Sequence, residues 1–261
     1  MEYIKLIKYP GSKKSLIPVI RRNFIESQAT SFIDVFGGSG VVSLNIDAPK
    51  IVYNDINRDL YDLFKIIKSY PDLLLEEMKK WTVNKSKFIG YGEIFTAKGI
   101  INLTDLERAF RTFYGFSIGF GGMGSTYRTK DEKSTYTQAL KVISNYKTIS
   151  SRVSKWIIEN LDFRDIFAKY DSTNAFFYCD PPYSGKDWYE HPFEPENLLE
   201  LKSALLNLKG KYLLSFNETD RLAKDTFGTP KFIIELENQN RKRMSDEPVP
   251  LRRFSIYTNI P

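Results

Sequence analysis

The stretch SFIDVFGGSGVVSLNIDAPKIVYND, residues 31 to 55, changes character three times. SFIDVF is apolar and β-rich, GGSG breaks it, VVSLNI restarts as a helix, and KIVYND is a second strand. A strand, a tight turn, a helix and a second strand form a βαβ unit, which implies a largely parallel sheet covered by helices. Glycines at such a turn let backbone amides approach a ligand, and a helix opening there offers unpaired N–H groups and a partial positive charge. Asp55 ends the second strand, the place from which an acidic side chain takes a ribose hydroxyl pair in nucleotide sites. A nucleoside-containing cofactor is one reading of the turn and a tight corner without a ligand is the other; the turn by itself leaves both open. A dinucleotide is disfavoured, because a GxGxxG register from Gly38 runs through Gly40 to Ser43, where a third glycine or alanine would permit close helix packing.

Outward from this unit, NRDLYDLFKIIKSY (57–70) has helical spacing and stops at Pro71, and PDLLLEEMKKW (71–81) restarts with proline in its first turn. NLTDLERAFRTFYGFSIG (102–119) is again helical, with Asn102 or Thr104 as cap and an end expected near Gly115 to Gly119. From Gly115 to Lys133 glycine, serine, threonine and charges replace the periodic pattern, which suits an exposed loop or hairpin, and a helix near 137–158 follows. NAFFYCD, GKYLLSFN and KFIIEL are predicted strands, the first two joined by a helix over PENLLELKSALLNLKG. The expected fold is α/β, with residues 1–60 and 155–261 forming a Rossmann-like domain and 61–154 a mainly helical insertion carrying a hairpin near 115–133.

Composition removes several chemistries. Cys179 is the only cysteine and His191 the only histidine, so an internal disulfide, a Cys/His zinc site and histidine-based triads are excluded. No run approaches the roughly 18 apolar residues of a membrane span, and MEYIKLIKYPGSKK lacks the apolar core of a signal peptide, so a cytoplasmic location is expected. The chain carries 38 Lys+Arg against 32 Asp+Glu, a net charge of +6 that says little by itself, but the excess gathers at the two ends. Lys5, Lys8, Lys13, Lys14, Arg21 and Arg22 lie in the first twenty-five positions, and Arg241, Lys242, Arg243, Arg252 and Arg253 lie near the other end. Two basic segments flanking one polyanion groove and two solvated faces both fit that distribution.

The segment YCDPPYSG, residues 178–185, delivers a carboxylate from an apolar strand into a rigid double-proline turn that ends on an aromatic ring. With it the sequence resembles the Dam-type (D12 class) DNA adenine-N6 methyltransferases, whose (D/N/S)PP(Y/F) hallmark appears as Asp180, Pro181, Pro182 and Tyr183. KYPGSKKSLIPVI is similar to that family's N-terminal motif, FIDVFGGSGVVSLN to its FxGxG motif, VYNDINRDLYDLF to its acidic motif, and LDFRDIF to its Asp-Phe pair. The order, cofactor motifs first and DPPY late, is that of the subclass whose recognition region precedes the catalytic loop.

The resemblance implies a methyltransferase that takes S-adenosylmethionine (SAM), releases S-adenosylhomocysteine, needs no metal, and acts on an adenine flipped out of double-stranded DNA. An exocyclic adenine amine has its lone pair delocalised into the ring. Two fixed acceptors on its N–H bonds draw the nitrogen toward tetrahedral geometry, and the resemblance assigns them to Asp180 and the Pro181 carbonyl, with Tyr183 stacking on the flipped base. It further implies cofactor contacts from Tyr9, Lys13, Asp34, Phe36, Gly38, Gly40, Asp55, Ile56, Asp162, Phe163 and Asp180. Ser215 and Asn217 resemble a strand-end motif near the base, with Phe216 between them as a departure from the pattern. Candidate DNA contacts are Lys14, Gly119, Ser125, Thr126, Tyr127, Arg128, Asn217, Arg241, Lys242 and Arg243, with Arg128 as a bidentate reader of guanine. Cytosine-N4 methylation is the neighbouring enzyme reading, although its loop usually begins with serine, and a DNA-binding regulator without turnover is the non-enzymatic one. A bacterial or phage setting, a monomer or weak dimer, and a cognate restriction endonuclease as second partner complete the expectations.

Overall fold

A computed structural model describes residues 3–97, 104–118, 132–182, 193–237 and 251–261. In chain order its elements are α1 (Ile17–Glu26), β1 (Ser31–Asp34), β2 (Lys50–Asn54), α2 (Arg58–Ser69), α3 (Pro71–Thr82), α4 (Lys85–Ala97), α5 (Asp105–Ile118) and α6 (Glu132–Val153). They continue with β3 (Ile157–Glu159), α7 (Phe163–Tyr170), β4 (Ala175–Cys179), α8 (Pro195–Leu206), β5 (Lys211–Asn217), α9 (Arg221–Phe227), β6 (Phe232–Glu237) and β7 (Leu251–Thr258). Packing separates two compact units, one made of residues 1–14 and 37–160, the other of 15–36 and 161–261.

In the second unit the strands run in the order β1-β4-β5-β7-β6. β1, β4 and β5 are mutually parallel, whereas β7 is antiparallel to both β5 and β6. Every residue of β4 is buried, which is why AFFYC carries no polar alternation. Side chains of period two divide onto two faces. On one face Phe24 of α1 meets Phe32 and Phe176 edge-on at 5.5 and 5.6 Å, and Phe32 stacks on Phe176 and Tyr178. On the other, Phe177 meets Phe167 of α7 at 5.2 Å. Helices thus cover both faces, and the fold is α/β with mixed, mostly parallel strand pairing, as expected.

In the first unit β2 and β3 pair in parallel, with Tyr53 opposite Ile158 and Asn54 opposite Glu159. Tyr53, Phe64 and Trp156, all buried, pack together, with Tyr53 and Phe64 ring centres 4.4 Å apart. The same core takes in Phe110, Phe113, Tyr114 and Tyr146 from α5 and α6. Asn57 caps α2, Pro71 opens α3, and Thr104 caps α5 through a reciprocal box in which each of Thr104 and Glu107 accepts the other's backbone amide. Buried Asp62 of α2 pairs with Arg58 at 2.9 Å and with Arg108 of α5 at 3.2 Å, tying the two helices together.

Three expectations are corrected. The helix expected after GGSG is only a 3-10 turn, Ser43–Asn45, because the Asn45 side chain takes backbone partners for itself. It accepts from Ile4 N at 2.9 Å and donates to Ile4 O at 2.8 Å and Val41 O at 2.7 Å. The helix expected to reach 158 stops at Val153, since Trp156 is drawn into the core and β-branched Ile157 and Ile158 extend as β3. Residues 115–118, expected in the hairpin, instead continue α5, where Ser117 is buried and Phe116 packs on Tyr9 at 5.1 Å. At the other end of the expected hairpin Glu132 and Lys133 open α6, and residues 119–131 lie outside the described residues.

Gly40 has φ +66, and a Cβ built on it would stand 2.6 Å from Cζ of buried Phe64. Gly40→Ala is therefore expected to lose roughly 2–4 kcal/mol of stability in chemical denaturation, combining left-handed strain with overpacking.

Candidate active site

The glycine turn is built by its neighbours on β2. Gly37 N–H donates to Asn54 O at 2.7 Å, and Gly40 N–H donates to Gly37 O at 2.9 Å. A side chain on Gly37 is impossible, since its Cβ would lie 2.2 Å from the Tyr53 ring. Gly38, at φ +50, turns its amide onto Asp55 Oδ2 at 2.7 Å, while the Tyr53 hydroxyl donates to Gly38 O at 2.8 Å. Asp55 Oδ1 accepts the Asn57 amide at 2.9 Å, so this 9 % exposed carboxylate is fixed by backbone at both oxygens. Asn160, just past β3, donates to the carbonyls of Asp55 and Ile56 at 2.8 and 2.9 Å and holds the strand end open.

Tyr9 lies over Gly38, whose built Cβ would be 3.1 Å from its ring. Lys13 is buried although charged, and its ammonium donates to Gly11 O at 2.8 Å. Ile56 is 44 % exposed, an apolar side chain left open beside the fixed carboxylate. Tyr9, Lys13, Gly38, Gly40, Asp55 and Ile56 thus fall in the first unit, and the geometry brings Tyr9, Gly38, Asp55 and Ile56 to one strand end. Lys14, also in this unit, has its ammonium 5.5 Å from the Tyr3 ring centre.

The other candidates fall in the second unit. Asp34 ends β1 fully buried, and Val35 N–H donates to Tyr178 O at 3.0 Å, carrying the β1–β4 pairing one step further. Phe36, Phe163 and Phe193 form an aromatic triangle with centroid distances of 5.6 to 6.0 Å. Asp162 is the N-cap of α7, accepting from Arg164 N at 2.9 Å and pairing with Arg164 Nη1 at 2.8 Å. Asp180 follows β4 half-buried, with Oδ1 accepting from Ser215 Oγ at 3.3 Å. Pro181 is buried and Pro182 half-buried. Ser215 is wholly buried beneath Asp180, whereas Asn217 is half-buried at the end of β5. Tyr183, Gly119, Ser125, Thr126, Tyr127, Arg128, Arg241, Lys242 and Arg243 lie outside the described residues.

Tyr53, Asn160, Phe193 and Tyr178 are structural members of these strand ends that the sequence reading passed over. Tyr53 and Tyr178 look like ordinary strand aromatics, and the work of Asn160 depends on a partner 105 residues away. Among the described residues, no group of three or more His, Cys, Asp or Glu could hold a metal ion, and no helix is long and apolar enough to cross a membrane.

Residues 9–241 match the family described as D12 class N6 adenine-specific DNA methyltransferase. The chain is 24 % identical over 240 residues to the type II methyltransferase M1.LlaDCHI of Lactococcus lactis subsp. cremoris, covering 84 % of this chain and 83 % of that protein. It is 27 % identical over 186 residues to a DNA adenine methylase of Vibrio cholerae, covering 68 % and 64 % respectively. With the modification methylase StsI of Streptococcus sanguinis the identity is 22 % over 195 residues, covering 70 % of this chain and 29 % of that protein.

The Cys179 thiol is fully buried, and burial first, then the neighbouring carboxylates Asp34 and Asp180, pushes its pKa well up. In the native protein Cys179 should resist iodoacetamide at neutral pH and become labelled only in denaturant, as read by intact-mass spectrometry.

Proposed function

Since the chain belongs to the D12 class N6 adenine-specific DNA methyltransferase family, we propose that it transfers a methyl group from SAM to the exocyclic N6 of a flipped-out adenine in duplex DNA. The observation that carries this reading is Asp180: a carboxylate at the end of a buried strand, held by Ser215 and followed at once by two prolines. An acceptor fixed before the substrate arrives costs no reorganisation when charge develops on the amine. The Pro181 carbonyl is the proposed second acceptor, and Tyr183 the proposed stacking surface for the flipped base.

The residues present fit SAM. The backbone at Gly38 admits no side chain without crowding Tyr9, Asp55 offers a fixed carboxylate for the ribose hydroxyls, and exposed Ile56 offers an apolar surface for adenine. Asp34, Lys13, Phe36, Gly40, Asp162 and Phe163 complete the proposed cofactor set. Bound SAM supplies an electrophilic methyl group; the chain supplies its binding and the aim of the acceptor amine. We assign target recognition to 61–154, with base reading by Gly119, Ser125, Thr126, Tyr127 and above all Arg128, and phosphate contacts to Lys14 and Arg241 to Arg243. The name modification methylase, borne by one relative, keeps a cognate restriction endonuclease as a candidate partner. A cytoplasmic monomer or weak dimer is the state we propose.

Methyl transfer from radiolabelled SAM into duplex DNA tests the reading. Asp180→Ala should lower turnover by at least roughly 10²–10³-fold while DNA affinity survives, and near-wild-type transfer by that variant would refute the assignment. For the cofactor, Asp55→Ala should weaken SAM binding by on the order of 1.5–3 kcal/mol in calorimetry. An unchanged dissociation constant, with folding verified by circular dichroism, would move the cofactor site elsewhere.

A further inference from the structure

We propose that Tyr178 and Ser215 form a hydrogen-bond donor chain that orients the Asp180 carboxylate toward the acceptor amine and keeps it ionised. They act through Asp180 and are therefore positioning residues. The inference rests on the reading of Asp180 as the group that meets the amine.

The register of the sheet builds this chain. Tyr178 lies opposite Leu213 and Cys179 opposite Leu214, so the next step along the two parallel strands sets Asp180 beside Ser215. With a period of two, Tyr178, Asp180, Leu213 and Ser215 project from the same face. Tyr178 OH and Ser215 Oγ are 3.3 Å apart, and Ser215 Oγ is 3.3 Å from Asp180 Oδ1. The direction of the protons follows from the groups themselves. An ionised carboxylate only accepts, so Ser215 spends its single proton on Asp180, and Tyr178 must donate to Ser215.

Both donors are held in place. Ser215 is 0 % and Tyr178 1 % exposed, and the Tyr178 ring stacks on Phe32 at 6.5 Å, the top of the aromatic column that begins at Phe24 on α1. Burial first, and then the charge of Asp180, pushes the Tyr178 phenol well up, so it keeps the proton that the chain requires. Asp180 and Asp34 on β1 each act on Tyr178 and Cys179 of β4, and the β5 side contributes the Ser215 hydroxyl, which does not titrate. Tyr178 and Cys179, both pushed well up by burial, are uncharged at neutral pH. The donor chain stabilises the charged form of Asp180. With Oδ1 tied to Ser215, one oxygen of the carboxylate is anchored.

The test uses the full chain as wild type, Ser215→Ala, Ser215→Thr and Tyr178→Phe, with kcat measured across a pH series and SAM and DNA affinities measured alongside. Ser215→Ala should lower kcat roughly 10- to 100-fold with little change in either affinity, the size of effect seen when a positioning partner is lost. Because a hydrogen bond to the charged form lowers a carboxylate pKa, its loss should move the acid limb of the profile up by about one pH unit. Tyr178→Phe should move it in the same direction by less, and Ser215→Thr, which keeps the hydroxyl, should restore both rate and limb. The carboxyl ¹³C resonance of Asp180, assigned with Asp180→Asn and titrated without SAM or DNA, should show the same upward shift in Ser215→Ala. A wild-type protein that leaves adenine unmethylated would sink the reading of Asp180, while the carboxyl titration would still decide whether the chain exists. Titration midpoints and acid limbs identical in wild type and Ser215→Ala would overturn the inference, and so would a rate loss without any shift, which marks Ser215 as packing only.

Discussion

The buried hydrogen bond from the Gly38 amide to the Asp55 carboxylate, 2.7 Å long, is the interaction on which the first unit's candidate site depends. It requires Gly38 to adopt a left-handed backbone, which is why the turn cannot be made of ordinary residues. Tyr53 secures the carbonyl of the same glycine, Asn57 secures the other carboxylate oxygen, and Asn160 secures the strand end from the far side of 105 residues of chain. A carboxylate that already satisfies backbone donors keeps its charge and its place while offering further lone pairs to a ligand. Much of the core beneath, from Tyr53 through Phe64 to Trp156, keeps these groups from shifting.

The second unit solves a similar problem with different means. Its carboxylate, Asp180, leaves a strand with both faces covered and enters a turn that two prolines stiffen. Where Asp55 is held by amides, Asp180 is held by a hydroxyl, itself backed by a phenol in an aromatic column. The two settings suit two tasks. In the proposed roles, a cofactor ligand profits from a charge held in place by backbone amides, whereas an acceptor for a reacting amine needs an ionised group whose direction is fixed by its partners.

Much of this was legible in the sequence wherever the cause is local. Pro71 breaks a helix by its chemistry, Thr104 and Glu107 cap one by their spacing, and the glycine turn, Asp55 and the Asp-Pro-Pro run announce themselves within a few residues. Elements set by tertiary contacts were not legible. Asn45 unmakes a helix because Ile4 is beside it, Trp156 ends α6 early because Tyr53 and Phe64 receive it, and Phe116 carries α5 onward because Tyr9 is there to pack on. β7, with exposed Leu251 and Arg252 at its start, has no clean alternation and becomes a strand only between β5 and β6. Ser215 is the most instructive residue: its motif suggested a place near the base, and its position beside Asp180 is visible only once β4 and β5 are in register.

In the proposed reaction a fixed Asp180 carboxylate serves methylation of adenine N6. Nucleoside mass spectrometry on duplex DNA incubated with the wild-type protein and methyl-labelled SAM tests it most directly. Labelled N6-methyladenine is the expected product; labelled N4-methylcytosine, or no labelled nucleoside from a protein that binds both SAM and DNA, would rule that role out.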